Sequence, residues 1–121
     1  SDVYKRQVHN FLWTGFYIVM EDELVLGPFQ GPVACTRIGF GRGVCGKSWE
    51  EKRSIIVDDV EKFPGHIACS SKSKSEIVIP IFRGDDVFGI LDVDHTRYGT
   101  FDEVDEKYLK KIVELIEKKL I

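Results

Sequence analysis

A chain of 121 residues suits one domain, large enough to bury roughly two-thirds of the surface its unfolded form exposes. Hydrophobic residues at 43% and charged residues at 31% are ordinary for a globular protein, and a net charge of −3 argues against a nucleic-acid partner. No apolar run is long enough to cross a bilayer and no signal-peptide pattern opens the chain, so no membrane role and a cytoplasmic location are expected; there, three cysteines, an odd number, fit free or catalytic thiols better than a disulfide framework.

Ser1 to Gln7 share no periodicity with the rest of the chain and read as non-native sequence, so residues 8–121 are taken as the single domain. On that reading the native chain begins upstream of His9 and an N-terminal helix is truncated. Phe11 to Met20 are rich in aromatic and β-branched residues, and Glu21-Asp22-Glu23 leads into Leu24-Val25-Leu26, which predicts a hairpin. Gly27 to Gly31, with Pro28 and Pro32, breaks the pattern, and a short strand around Ala34 to Ile38 is expected before the glycine loop Gly41 to Gly46. Ser48 to Arg53 suits one or two helical turns, and Ile55-Ile56-Val57 a short buried strand closed by Asp58-Asp59.

Glu76 to Phe82 and Val87 to Val93 are apolar strands around the turn Arg83-Gly84-Asp85-Asp86, expected at the centre of the sheet. Beyond Asp102 the period changes: Val104, Tyr108, Leu109, Ile112, Leu115, Ile116 and Leu120 mark one face of a closing helix. Glu103/Lys107, Glu106/Lys110 and Glu114/Lys118 pair four apart on the other face. An Asp102 cap behind Phe101, or a capping box from Thr100 to Glu103, starts that helix. Hairpins with helices gathered late in the chain predict an α+β fold, an antiparallel sheet with helices on one face.

Cys35, Cys45 and Cys69 fall in loops of glycine and proline rather than in apolar runs. Inert cysteines usually behave as small buried hydrophobes, so thiol chemistry is the first functional expectation. Asp92 and Asp94 alternate onto one face of an otherwise apolar strand, where burial without a role is costly. Trp13 and Tyr17, four apart in a strand, also share a face. Zinc on Cys35, Cys45, Cys69 and His66 is disfavoured because no close Cys-x-x-Cys pair exists. Gly41 to Gly46 formally fits a dinucleotide fingerprint but lies outside any strand–helix–strand unit of the required kind.

Taken together, Gly27-Pro28-Phe29-Gln30-Gly31, Cys35, Gly41-Arg42-Gly43-Val44-Cys45-Gly46, Phe63-Pro64-Gly65-His66-Ile67-Ala68-Cys69, Ser75 to Pro80 and Gly89-Ile90-Leu91-Asp92-Val93-Asp94 resemble the free methionine-R-sulfoxide reductases, small stand-alone GAF domains. The block from Phe63 to Glu76 is the most specific part. The resemblance implies a six-stranded sheet, a pocket closed by loops, one or more N-terminal helices and a homodimer of the full-length chain. It also implies that Cys69 is the nucleophile, Cys35 the main resolving cysteine and Cys45 an auxiliary one. Glu76, Asp92 and Asp94 match carboxylates lining the substrate pocket, and Trp13 and Tyr17 match aromatics around the methyl-sulfoxide end.

Reduction of a sulfoxide by a thiol needs a thiolate at the sulfur and an acid for the departing oxygen, roles for which Cys69 and Glu76 or Asp94 are the candidates. His66 or backbone N–H groups could lower the Cys69 pKa. The resulting sulfenic acid condenses with a second thiol, and an external dithiol such as thioredoxin restores the enzyme without metal or organic cofactor. Free methionine sulfoxide carries an ammonium, for which Asp92 is the candidate partner. The alternative is a non-catalytic GAF sensor that binds a small ligand such as a cyclic nucleotide.

Overall fold

The computed structural model describes residues 11–67, 69 and 72–120. The expectations for Ser1 to Gln7 and for the truncated helix lie outside these residues. Six strands form one antiparallel sheet: β1 (Phe11–Met20), β2 (Glu23–Gln30), β3 (Arg37–Gly39), β4 (Ile55–Val57), β5 (Ser75–Arg83) and β6 (Asp86–His95), in the order β3-β2-β1-β6-β5-β4. Helix α1 (Gly43–Glu51) and a 3-10 turn (Val60–Lys62) flank β4, and helix α2 (Glu103–Lys118) closes the chain. Among the described residues no helix is long and apolar enough to cross a membrane.

Both predicted hairpins form. Each has a two-residue turn, Glu21-Asp22 and Gly84-Asp85, with its first residue at positive φ (61° and 64°). The predicted break at Gly27 does not occur, because β2 runs through Pro28 to Gln30. The β3 ladder covers only Glu23–Val25, so Pro28 sits where its missing N–H costs no pairing on that side. The third strand, expected around Ala34 to Ile38, forms only at Arg37–Gly39. Its first residues are drawn instead into a loop held from below by β1.

The centre of the sheet is β1 with β6, not β5 with β6. β5 takes β4 as its other neighbour. The expectation of helices on one face is also corrected. Alternation along β5 and β6 sends Ile77, Ile79, Ile81, Leu91 and Val93 to one face, where they pack on Phe101, Leu109 and Val113. Val78 and Ile90 point the other way, to a cluster containing Val44 and Cys45 of α1. The two helices therefore cover opposite faces, each supplying apolar contacts worth about 1.5–3 kcal/mol per fully buried large side chain. Separation of helices along the sequence carries no information about which face each takes.

Helix α2 begins as a capping box on Asp102. Its Oδ1 accepts from the N–H groups of Val104 (2.9 Å) and Asp105 (3.1 Å), while Asp105 Oδ2 accepts from the Asp102 N–H (3.0 Å). At the far end Glu117 Oε2 accepts from the Phe82 N–H at 2.7 Å, fastening the last turn to β5. The buried side is Asp105, Leu109 and Val113 with Ile112 and Ile116 beside them, whereas Val104, Tyr108 and Leu115 are exposed. At ~100° per residue those three form a separate stripe, so the apolar arc predicted as one face is wider than the sheet covers. Of the three predicted ion pairs, Glu106–Lys110 closes at 2.8 Å and the other two do not.

Candidate active site

The register of three strands lays out the floor of the site. Trp13 of β1 stands opposite Asp94 of β6, and Asp94 opposite Glu76 of β5. One step along, Gly15, Asp92 and Val78 form the next row. Gly15 has to lack a side chain, because a Cβ there would run into the Trp13 ring and meet Phe29 Cβ at 2.8 Å. The indole stacks on Phe29 at 5.9 Å between centroids and leans on Tyr17 at the same distance, so Trp13 and Tyr17 share the face expected of them.

Both aromatics also hold the loop above them. Trp13 Nε1–H donates to the Pro32 carbonyl at 2.9 Å, and Tyr17 OH donates to the Cys35 carbonyl at 2.8 Å. These bonds hang the Cys35 loop over the acidic rows. On the far side Cys69 is bonded to Cys35 in a disulfide, with the α carbons 5.3 Å apart although the residues are 34 positions apart in sequence. Beneath this closed loop pair lies a cavity of about 50 Å³, enough for a few waters in the disulfide form. Its lining includes Trp13, Tyr17, Cys45, Cys69, Glu76, Asp92 and Asp94, so every predicted site residue except Cys35 lines it directly.

Cys45 is the thiol whose surroundings differ from expectation. The glycine stretch reads as a loop, yet α1 begins at Gly43 and takes Cys45 into its first turn, only 3% exposed. Packing overrides weak helix propensity here. Val44 and Cys45 bury into the sheet, and Gly46 presses so closely on the end of β3 that a Cβ would stand 2.6 Å from the Gly39 carbonyl oxygen. Lys52 then ends the helix in the left-handed region at φ 55°, and Ser48 Oγ donates to the Arg53 carbonyl at 2.7 Å.

The electrostatics follow from burial without a cation. Among the described lining residues there is no lysine or arginine. Burial holds Glu76 well above the usual carboxyl range, and the neighbouring Asp92 and Asp94 push it further. Asp94 is raised by burial and by Asp92, against a hydrogen bond from Ser73 Oγ at 3.3 Å. Asp92 is raised by burial, and hydrogen bonds from Glu76 and Cys45 oppose this by favouring its ionised form. Cys45 is pushed up by burial and then by the acids, and Tyr17 likewise stays protonated. Burial thus favours a proton on Glu76 and on Asp94, and Asp92 is the carboxyl that accepts hydrogen bonds from both Glu76 and Cys45.

His66 lines the same cavity, but burial lowers its pKa against a weaker opposing effect of Glu61. Burial therefore works against a charge on His66 that would help ionise Cys69. Sequence reasoning missed Ser73, which donates to Asp94, and Pro32, which anchors Trp13. Neither has a local signal, since a serine between lysines and a proline after glycine both read as plain loop.

The geometry has counterparts. The GAF domain family model matches residues 6–118. GAF domain-containing protein A of Dictyostelium discoideum is 58% identical over 93% of this chain and 72% of its own. Free methionine-R-sulfoxide reductase of Saccharomyces cerevisiae is 47% identical over 98% of this chain and 68% of its own. Among solved structures, the free methionine-R-sulfoxide reductase of Neisseria meningitidis in complex with its substrate superposes with a TM-score of 0.91 at 48% identity, covering 98% of this chain and 72% of that one. A sheet of this topology, a thiol pair over a carboxyl-lined cavity and relatedness at this level agree: the chain belongs to the GAF domains and, among them, to the free methionine-R-sulfoxide reductase family.

Proposed function

We propose that this protein reduces free L-methionine (R)-S-oxide to L-methionine with Cys69 as nucleophile. The observation that carries the reading is the Cys35–Cys69 disulfide at the rim of a cavity whose floor is Glu76, Asp92 and Asp94, in a chain of this family. With the disulfide reduced, the Cys69 thiolate attacks the sulfoxide sulfur. Glu76, protonated by its burial, gives its proton to the sulfoxide oxygen, which migrates to the Cys69 sulfur as the S–O bond of the substrate and the transient bond between the two sulfurs both break. The products are methionine and a Cys69 sulfenic acid. Cys35 then displaces hydroxide from that sulfur, water leaves, and the disulfide forms.

Asp92, the acceptor of the set, receives the substrate ammonium, and the Trp13 and Tyr17 rings pack on the methyl group and sulfur. Tyr17 has a second task. Its bond to the Cys35 carbonyl keeps the resolving thiol over the nucleophile. Cys45 is packed in the first turn of α1 whereas Cys35 is bonded to Cys69, which favours Cys35 as the resolving thiol. An external dithiol of the thioredoxin class reopens the disulfide by exchange.

The test is turnover of racemic free methionine sulfoxide with dithiothreitol, followed by chromatography of free methionine and of the two epimers. Loss of the R epimer alone is expected, and Cys69→Ser should leave none. Turnover that survives Cys69→Ser, or a folded protein that consumes neither epimer, would overturn the reading and favour a sensor that only binds.

A further inference from the structure

We propose that Cys45, Glu76 and Asp92 form a binding site for a thiophilic divalent cation of the zinc class. The three donors come from three elements, α1, β5 and β6, and their ligand atoms lie within 4.8 Å of one another. All three residues are buried, at 3%, 6% and 5% exposure. A second observation points to a missing ligand: Asp92 Oδ1 is fully buried and has no hydrogen-bond partner among the described residues, on a side chain that lines the cavity. A buried carboxylate oxygen left unpaired is expensive, and a cation satisfies it directly.

The chemistry of the donors selects the ion. A thiolate with two carboxylates suits zinc or cadmium, whereas magnesium and calcium prefer an all-oxygen shell. Zinc bonds of about 2.0–2.3 Å bring ligands to roughly 3.5 Å from one another, so rotations that shift each donor by about an ångström close the set. The fourth position faces the cavity, open to water or to Asp94 beside it.

The site does not involve the disulfide. It exists with Cys35 and Cys69 bonded to each other, which makes it separable from trivial capture of a metal by two reduced thiols. It also does not rest on the reductase reading. Where that reading holds, the ion and the substrate ammonium exclude each other at Asp92, and metal would act as a competitive brake.

The oxidised protein gives the test, since Cys45 is then its one free thiol. Titration with Co2+ in a weakly coordinating buffer should give one ion per chain and a near-ultraviolet sulfur-to-metal charge-transfer band, bleached by Zn2+. Cys45→Ala should remove the band. Asp92→Asn and Glu76→Gln should each keep the thiol but weaken Co2+ binding at least about tenfold, the lower end of what loss of a merely supporting group costs. Circular dichroism checks that each variant folds. If the oxidised protein gives no band, or if the band and affinity survive both carboxyl variants, the site does not exist as proposed.

Discussion

Strands β5 and β6 carry two different chemistries back to back. Toward α2 they present Ile77, Ile79, Ile81, Leu91 and Val93, a dry surface closed by Phe101, Leu109 and Val113. Toward α1, at the neighbouring positions of the same strands, they present Glu76, Asp92 and Asp94 around a cavity. One residue of register separates the two. The acids sit where desolvation works against their ionisation, and the opposite face supplies the burial that keeps the strands in place despite that cost. The stability of this fold and the reactivity of its site are therefore properties of alternate residues.

The sharpest way to break that division is at sulfur. Cys69→Ser should remove turnover altogether while the reduced protein keeps its urea midpoint to within about 0.5 kcal/mol, as for a partly exposed side chain outside the core. A large loss of stability would mean that the thiol belongs to the fold and not to the site. The mirror experiment is Leu109→Ala on the dry face. It should cost about 2–5 kcal/mol in denaturant unfolding, with turnover per folded molecule unchanged. A drop in turnover at full folding would show that the two faces are coupled.

Proton linkage tests the acidic face alone. Glu76 has a folded pKa above its unfolded value of about 4.3, so the folded state holds more protons between the two and its stabilising contribution is complete only below the lower one. That contribution is lost as pH rises through the folded pKa. Urea midpoints of the wild type should therefore fall relative to Glu76→Gln as pH rises from about 4 toward 8, since glutamine cannot titrate. A gap that closes with rising pH would indicate a stabilised carboxylate, with a cation in the pocket. The smallest effect is expected for Tyr17→Phe, which loses the bond to the Cys35 carbonyl. It should cost about 1 kcal/mol and slow the closing of the disulfide after single turnover, read by alkylation of trapped thiols.

Much of this is legible in the sequence. The alternation in Glu76 to Phe82 and Val87 to Val93 identifies two strands to within a residue or two at each end, and the shift of period after Asp102 identifies α2. The acids stand out because charge inside an apolar strand demands a reason. Other features leave no local trace. Glycines at positions 41, 43 and 46 read as loop, and only contact with β3 and with the Val44 and Cys45 pocket turns that stretch into helix. Apolar spacing on α2 names seven positions, but it cannot say that Val104, Tyr108 and Leu115 face away from the sheet.

By itself the sequence determined the two hairpins and the closing helix, which residue types carry the chemistry, and through family resemblance what reaction they serve, because these depend on local periodicity and on side-chain identity. Tertiary structure alone decided that Cys35 and Cys69 touch across 34 positions, that α1 and α2 take opposite faces, and that Cys45 meets Glu76 and Asp92. Those outcomes rest on strand order and register, which are set by the sum of many weak contacts between segments distant in the chain. The same burial then moves the protons, since a carboxyl or a thiol has its ordinary affinity for a proton only while water surrounds it.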